Sequence, residues 1–283
     1  MNAKTIPYLA VGLLLMTTPL VHAQETEEAL SASEINEEPQ NPTVEMKSAP
    51  EEELADMSDP LAVFTQAGFS VGDRGVNIKL GKKYDTGSLA KLGMNIFEVK
   101  GILSDTLGWE SGPKDSIDSV RIRNLTVNPT NGRGAQIDLV YDFNQEAGAL
   151  SYSMFQALPA MWRFNFYPLA GAGGAFANNV LQDDDSTASG YSMPGTFATV
   201  GMFSKLTITD KLWINYTPMW NTTLSGSDSY KDRGFADHSS VLTHEASLSY
   251  RINPRMNIRY FANWNQYLDF SDGNHRIEVN YQF

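Results

Sequence analysis

The chain has 283 residues, 33 acidic side chains against 21 lysines and arginines, and no cysteine. The acid is local: Gln24 to Pro60 carries 12 acidic groups and one lysine, leaving Leu61 to Phe283 with 21 acidic and 19 basic groups, a net charge near −2. The lack of cysteine excludes a disulfide framework, a thiolate metal site and a cysteine nucleophile, and the near-neutral body lacks the basic face that nucleic acid demands.

In chain order, Lys4 precedes an apolar stretch from Ile6 to Leu20, followed by Val21-His22-Ala23 with small residues at −3 and −1. This pattern predicts a secretory signal peptide over residues 1–23. Pro7 and Thr17-Thr18-Pro19 break the stretch, which is too short for a spanning helix. Residues 24–60, rich in Glu, Ser, Pro and Asn and without an aromatic residue, predict a solvated acidic tail, because too little apolar surface is available to offset the entropy of ordering; a segment that plugs a pore or binds cations or a basic partner is the alternative.

From Leu61 onward the signal has a period of two, the pattern of strands with one apolar and one polar face. Ala135, Ile137, Leu139, Tyr141 and Phe143 alternate with Gln136, Asp138, Val140 and Asp142. Similar sets run over residues 211–221 and 256–265, and the last places Ile277, Val279, Tyr281 and Phe283 against Arg276, Glu278, Asn280 and Gln282. Such runs exceed the roughly five or six residues usual in soluble sheets and match the roughly nine to eleven that cross a bilayer at a tilt. Aromatic residues gather near the segment ends, as at two membrane interfaces.

Connections alternate between tight turns, such as Asn253-Pro254-Arg255, Thr209-Asp210 and Ala157-Leu158-Pro159, and longer loops, such as Gly171 to Gly195 and Thr222 to Ser239. This yields an all-β fold over residues 61–283: a closed antiparallel transmembrane β-barrel with short periplasmic turns and longer extracellular loops. Ten strands follow directly; a further hairpin, Ala62 to Val71 and Val76 to Tyr84, makes twelve, the preferred count. Closure follows because an open edge in hydrocarbon would leave backbone groups unpaired.

The terminal Ile277-Glu278-Val279-Asn280-Tyr281-Gln282-Phe283 resembles the C-terminal signature of Gram-negative outer-membrane barrel proteins. The resemblance implies a bacterial outer membrane with the N-terminal tail in the periplasm. It makes Ile277, Val279, Tyr281 and Phe283 an assembly signal for the barrel-assembly machinery, and outer-membrane lipid and lipopolysaccharide the surrounding partners.

With lipid outside, the polar face must line the lumen. Arg121 and Arg123 on one strand face Asp138 and Asp142 on the next, near enough to pair. With Arg163, Lys205, Glu245, Arg259 and Glu278 they form a candidate lumen charge cluster, either an ion-paired interior or the selectivity device of a narrow channel for small solutes or ions. A non-conducting structural or adhesive barrel is the alternative. An outer-membrane lipid hydrolase is third, resting on His238-Ser239-Ser240 and His244-Glu245, although the His-x-Ser-Asn pattern of such enzymes is absent and His244 falls on the lipid side. No catalytic residue is assigned, and no cofactor or metal site is indicated: His22, His238, His244 and His275 lack ligand spacing.

Overall fold

The computed structural model describes residues 54–107, 117–180, 183 and 186–283; the leader and the tail up to residue 53 lie outside them. Twelve antiparallel strands close into one barrel in simple up-and-down order, with β12 pairing to β1. They are β1 (Gln66–Gly72), β2 (Gly75–Asp85), β3 (Leu92–Ile102), β4 (Ser119–Asn128), β5 (Arg133–Asp142), β6 (Ala147–Gln156), β7 (Phe164–Asn178), β8 (Tyr191–Thr207), β9 (Leu212–Gly226), β10 (Ser240–Asn253), β11 (Met256–Asn265) and β12 (Asn274–Gln282). Two short helices, α1 (Ser104–Leu107) and α2 (Asp228–Arg233), lie in loops. Twelve strands are therefore the correct choice over ten, and among the described residues no helix is long and apolar enough to cross a membrane.

The alternation read from sequence is the wall itself. Every strand pair keeps its partners on the same face, so one parity points out and the other in. Exposure is inverted relative to a soluble sheet: the outward Phe69, Leu80 and Met154 are 52%, 52% and 61% exposed, while the inward Ser249 and Asn257 are fully buried. Large apolar side chains facing out all round the wall make this a lipid-facing surface. Two aromatic belts bound it. At the long-loop end, Tyr141 packs edge-on to Phe143 at 5.1 Å and stacks on Phe176; at the short-turn end, Phe164 stacks on Phe166 with Trp162 tilted against it, and Tyr281 meets Phe283 at 5.1 Å.

The turns at the end carrying Phe283 are tight. In the β4–β5 turn the Gly132 amide donates to the Asn128 carbonyl at 2.9 Å, and Gly132 adopts φ +67°, a region that favours glycine. The opposite end is taller on one side, because β7 to β10 run 14 to 17 residues. Two expected loops are shorter for that reason: the stretch placed at Gly171 to Gly195 narrows to residues 179–190, and Thr222 to Ser239 to residues 227–239. The small residues of 170–177 are strand, not loop. At Gly173 a side chain would meet the ring of Phe197 at 2.5 Å, so close packing explains the composition.

The largest departure lies at the front of the barrel. The first strand was expected from Ala62, and residues up to Pro60 as a solvated tail. Instead β1 begins at Gln66, and residues 54–65 run inside the barrel at the short-turn end. Pro60 cannot donate to a ladder, and the carboxylates of Asp56 and Asp59 bind the backbone amides of Ser58 and Leu61 at 3.0 and 2.9 Å. These local bonds replace strand pairing. Leu61 and Val63 are thereby turned inward and buried.

Candidate functional site in the lumen

Inward side chains divide the lumen into three levels. At the short-turn end Leu61 and Val63 pack with Met94, Ile96, Leu125, Val127, Phe155, Tyr167 and Leu169. At the long-loop end Tyr230 of α2 and the following Phe235 fold back onto Phe197, Val241, Ala149 and Ala175, with Phe235 edge-on to Phe197 at 5.8 Å. The Tyr230 hydroxyl is buried without a partner, and burial pushes its pKa up. Between these apolar levels lies a cavity of about 180 Å³ lined by charged and polar side chains.

The charges at the middle level are paired along the wall. Arg121 holds Asp138 through two bonds, Nε to Oδ1 at 2.9 Å and Nη2 to Oδ2 at 2.5 Å. Gln136 adds a third bond to that carboxylate at 3.1 Å. Glu98 takes Arg123 at 2.9 Å and Lys100 at 3.4 Å. Lys79 meets Glu278 at 2.5 Å across β1, and Arg276 reaches Glu245 at 3.5 Å while lying over the Phe261 ring at 4.1 Å. Arg259 spends one nitrogen on the Met57 carbonyl at 2.5 Å and sits over the Trp213 ring at 5.7 Å. The arginine pairs are diagonal in the register: Arg121 is opposite Glu98 and Arg123 opposite Asp138, and each arginine pairs with the carboxylate opposite the other.

Six cations (Lys79, Lys100, Arg121, Arg123, Arg259, Arg276) and four carboxylates (Asp59, Glu98, Glu245, Glu278) line this cavity, and Asp138 stands beside it on Arg121. The Nε groups of Arg123 and Arg259 are buried without a hydrogen-bond partner. With Asp138 counted, the cations exceed the carboxylates by one, and a net positive charge in a confined, low-dielectric cavity raises the local concentration of anions and lowers that of cations.

The expected cluster is thus brought together in part. Arg121, Arg123, Asp138, Glu245, Arg259 and Glu278 belong to it. Lys205 lies nearer the short-turn end, bound to Asp56 at 3.1 Å and to the Ser58 hydroxyl. Asp142 sits at the long-loop rim, where it accepts from the Gln145 amide at 2.9 Å, four residues along the strand from the Asp138 pair. Arg163 is outside the lumen: the chain reverses at Trp162, φ +57°, before β7 begins. Arg163 is exposed in that turn, donating to the Ile208 carbonyl at 2.8 Å over the Trp162 ring.

Lys79, Glu98, Lys100 and Arg276 join the cluster without having been anticipated. Their signal was parity, since Lys79 shares a face with Asn77, Glu98 with Lys100, and Arg276 with Glu278.

The residues of the hydrolase reading are placed apart. His238 stacks on Tyr267 at 3.8 Å, while the Ser239 carbonyl accepts from the Thr223 amide and the Ser240 carbonyl from the Tyr267 hydroxyl. His244 points outward, its Nδ1 2.8 Å from the Tyr216 hydroxyl and its ring stacked on Trp264; its neighbour Glu245 points into the lumen.

No family model matches the chain, and no curated protein does. Among solved structures it is similar to the NanC porin, at 9% identity and a TM-score of 0.49 over 78% of this chain and 100% of that one. It is similar to the KdgM porin at 11% identity and a TM-score of 0.43, over 78% and 99%. Omp33 of Acinetobacter baumannii follows at 11% and 0.34, over 77% and 96%. At such identities no residue correspondence carries over, and the lumen is read from this chain alone.

Proposed function

We propose that the protein is an integral barrel of the Gram-negative outer membrane that forms a narrow passage for small solutes and favours anions. The observation that carries this reading is the combination of an outer face rich in exposed large apolar side chains with a cavity at mid-height lined by six cations and four carboxylates. A barrel that served only as a structural support would be stabilised as well or better by apolar filling, because burying ion pairs costs desolvation.

In this reading the short turns and the N-terminal segment face the periplasm and the taller end of β7 to β10 faces outward, towards lipopolysaccharide. Ile277, Val279 and Tyr281 lie on the outward face of β12, the strand that closes the barrel against β1, and Phe283 follows its end, where the assembly machinery would read them.

Liposome swelling with a graded panel of sugars and salts, together with planar-bilayer recording under a salt gradient, tests the function. Size-limited permeation and a reversal potential on the anion side are expected. A correctly folded barrel with neither permeation nor conductance would overturn the pore. One observation favours a non-conducting barrel instead: chain segments occupy the lumen at both ends.

A further inference from the structure

Residues 54–65 cross the lumen from wall to wall. On one side the Asp56 carboxylate meets Lys205 of β8 at 3.1 Å and Arg251 of β10 at 3.0 Å, Arg259 of β11 holds the Met57 carbonyl, and Gln282 of β12 holds that of Ala55 at 3.1 Å. On the same side, beside Lys205, the Tyr167 hydroxyl of β7 donates to Asp59 at 3.0 Å, and the far wall is met by the apolar side chains. Leu61 and Val63 are buried in the apolar level that includes Met94, Ile96, Leu125 and Phe155 of β3, β4 and β6.

Two features distinguish this segment from a wall strand. Its internal backbone bonds are local, Asp59 to Asp56 and Ala62 to Asp59 at 3.0 and 3.1 Å, and its backbone bond to the wall is at the hinge, where the Thr65 carbonyl accepts from the Phe283 amide at 3.0 Å, so moving the residues before Thr65 away breaks no strand ladder. Its ionic contact is also half-exposed, with the Asp56 side chain at 49% and Arg251 at 33%, so the contact is open to screening.

We propose that residues 54–65 are a displaceable plug that shuts the lumen at the short-turn end, held by an ionic anchor at Asp56 and an apolar anchor at Leu61 and Val63. The plug is independent of what the barrel conducts; only its effect on conductance rests on the pore reading. Screening or removing the ionic anchor leaves two apolar side chains and the hydrogen bonds from Arg259, Gln282 and Tyr167 to hold the segment. The open population then rises, and the charged level becomes continuous with the solution at that end.

The test uses the full chain, whose lack of cysteine makes a single introduced thiol an unambiguous probe. Leu125→Cys places that thiol in the apolar level beside Leu61 and Val63. Its labelling by a water-soluble methanethiosulfonate is measured at 0.1 and 1 M salt, where the Debye length falls from about 10 to about 3 Å. Backgrounds are the parent sequence, Asp56→Asn and Leu61→Asp, each checked for heat-modifiable migration.

Slow labelling in the parent is expected, at least several-fold faster at high salt. Either anchor variant is expected to label at least tenfold faster, with Asp56→Asn no longer responding to salt. Equal rates in all backgrounds and salts, in folded protein, would overturn the plug.

Conductance is recorded in parallel, and Ser58→Cys with Asn215→Cys, two residues in contact through the Ser58 carbonyl, is bridged by a thiol cross-linker to lock the segment. Conductance that rises in the anchor variants and is silenced reversibly by the lock supports the plug as a gate. Rates that diverge while no variant conducts support the plug and overturn the pore instead.

Discussion

The Arg121–Asp138 pair is where the charged lumen is most open to a quantitative trial. Asp138→Ala removes the acceptor of two Arg121 bonds and of the Gln136 bond. The Asp138 side chain is 10% exposed and that of Arg121 28%, so the guanidinium left behind is largely out of water. Removing one partner of a buried pair costs about 3–5 kcal/mol; because Arg121 borders the cavity, water relieves part of this, and about 2–3 kcal/mol is expected. Arg121→Met alone leaves Asp138 short of its cation at a similar cost. The double variant removes both charges, so its loss is expected to fall well below the sum of the singles, with a coupling of about 1–3 kcal/mol. The assay is urea unfolding in lipid vesicles, followed by tryptophan fluorescence, for the four members of the cycle. Additive losses within about 0.5 kcal/mol would refute the pairing and with it the account of how the lumen tolerates its charge.

Other outcomes follow from the same geometry. Leu80→Lys puts a charge on the outward face at mid-strand and is expected to cost about 2–4 kcal/mol in vesicles, whereas Asn77→Lys on the inward face of the same strand costs less; equal costs would count against the face assignment. Phe283→Ala is expected to lower the yield of heat-modifiable barrel in cells more than in detergent refolding, because the loss falls on assembly; equal yields in cells would remove the assembly role. Asp56 is pushed up by burial but held below its ordinary 3.8 by hydrogen bonds from Ser58 and the charge of Lys205. A carboxylate depressed in the folded state stabilises it above the unfolded value, and that contribution is lost as pH falls through the folded value. The segment is therefore expected to stay seated at neutral pH and to loosen below about pH 4, read as faster thiol labelling at Leu125→Cys that Asp56→Asn no longer shows. Neutralising Asp138 with Asn raises the net positive charge of the lumen by one and is expected to move the reversal potential further to the anion side; a shift toward cations would contradict the charge count.

Much of the wall was legible because a barrel strand is the one element whose whole environment repeats every two residues. Ile137 and Tyr141 against Gln136 and Asp138 state lipid and lumen in four letters. Strand ends were harder: the glycines and alanines of 170–177 read equally as loop or as closely packed strand, and only the Phe197 ring across Gly173 decides between them. The charge cluster was half visible, since Arg121 and Asp138 lie on adjacent strands joined by a short turn. The Lys79–Glu278 pair spans 199 positions and depends on how the first strand meets the last. The path of residues 54–65 through the lumen was not legible. Their Asp, Ser and Pro content is that of a solvated tail, and what orders them is a set of cations as far away as Lys205 and Arg251, whose approach no local pattern encodes.

The account rests on opposite faces of each strand meeting opposite media, and spin labels placed singly at residues 135 to 142 of the cysteine-free chain in bilayers test this most directly. Collision rates with oxygen, which partitions into lipid, are expected to alternate strictly, high at 135, 137 and 141 and low at 136, 138 and 140, with a water-soluble nickel chelate excluded from the odd set. Collision rates that do not alternate, or ready access of the chelate to the odd positions, would contradict it.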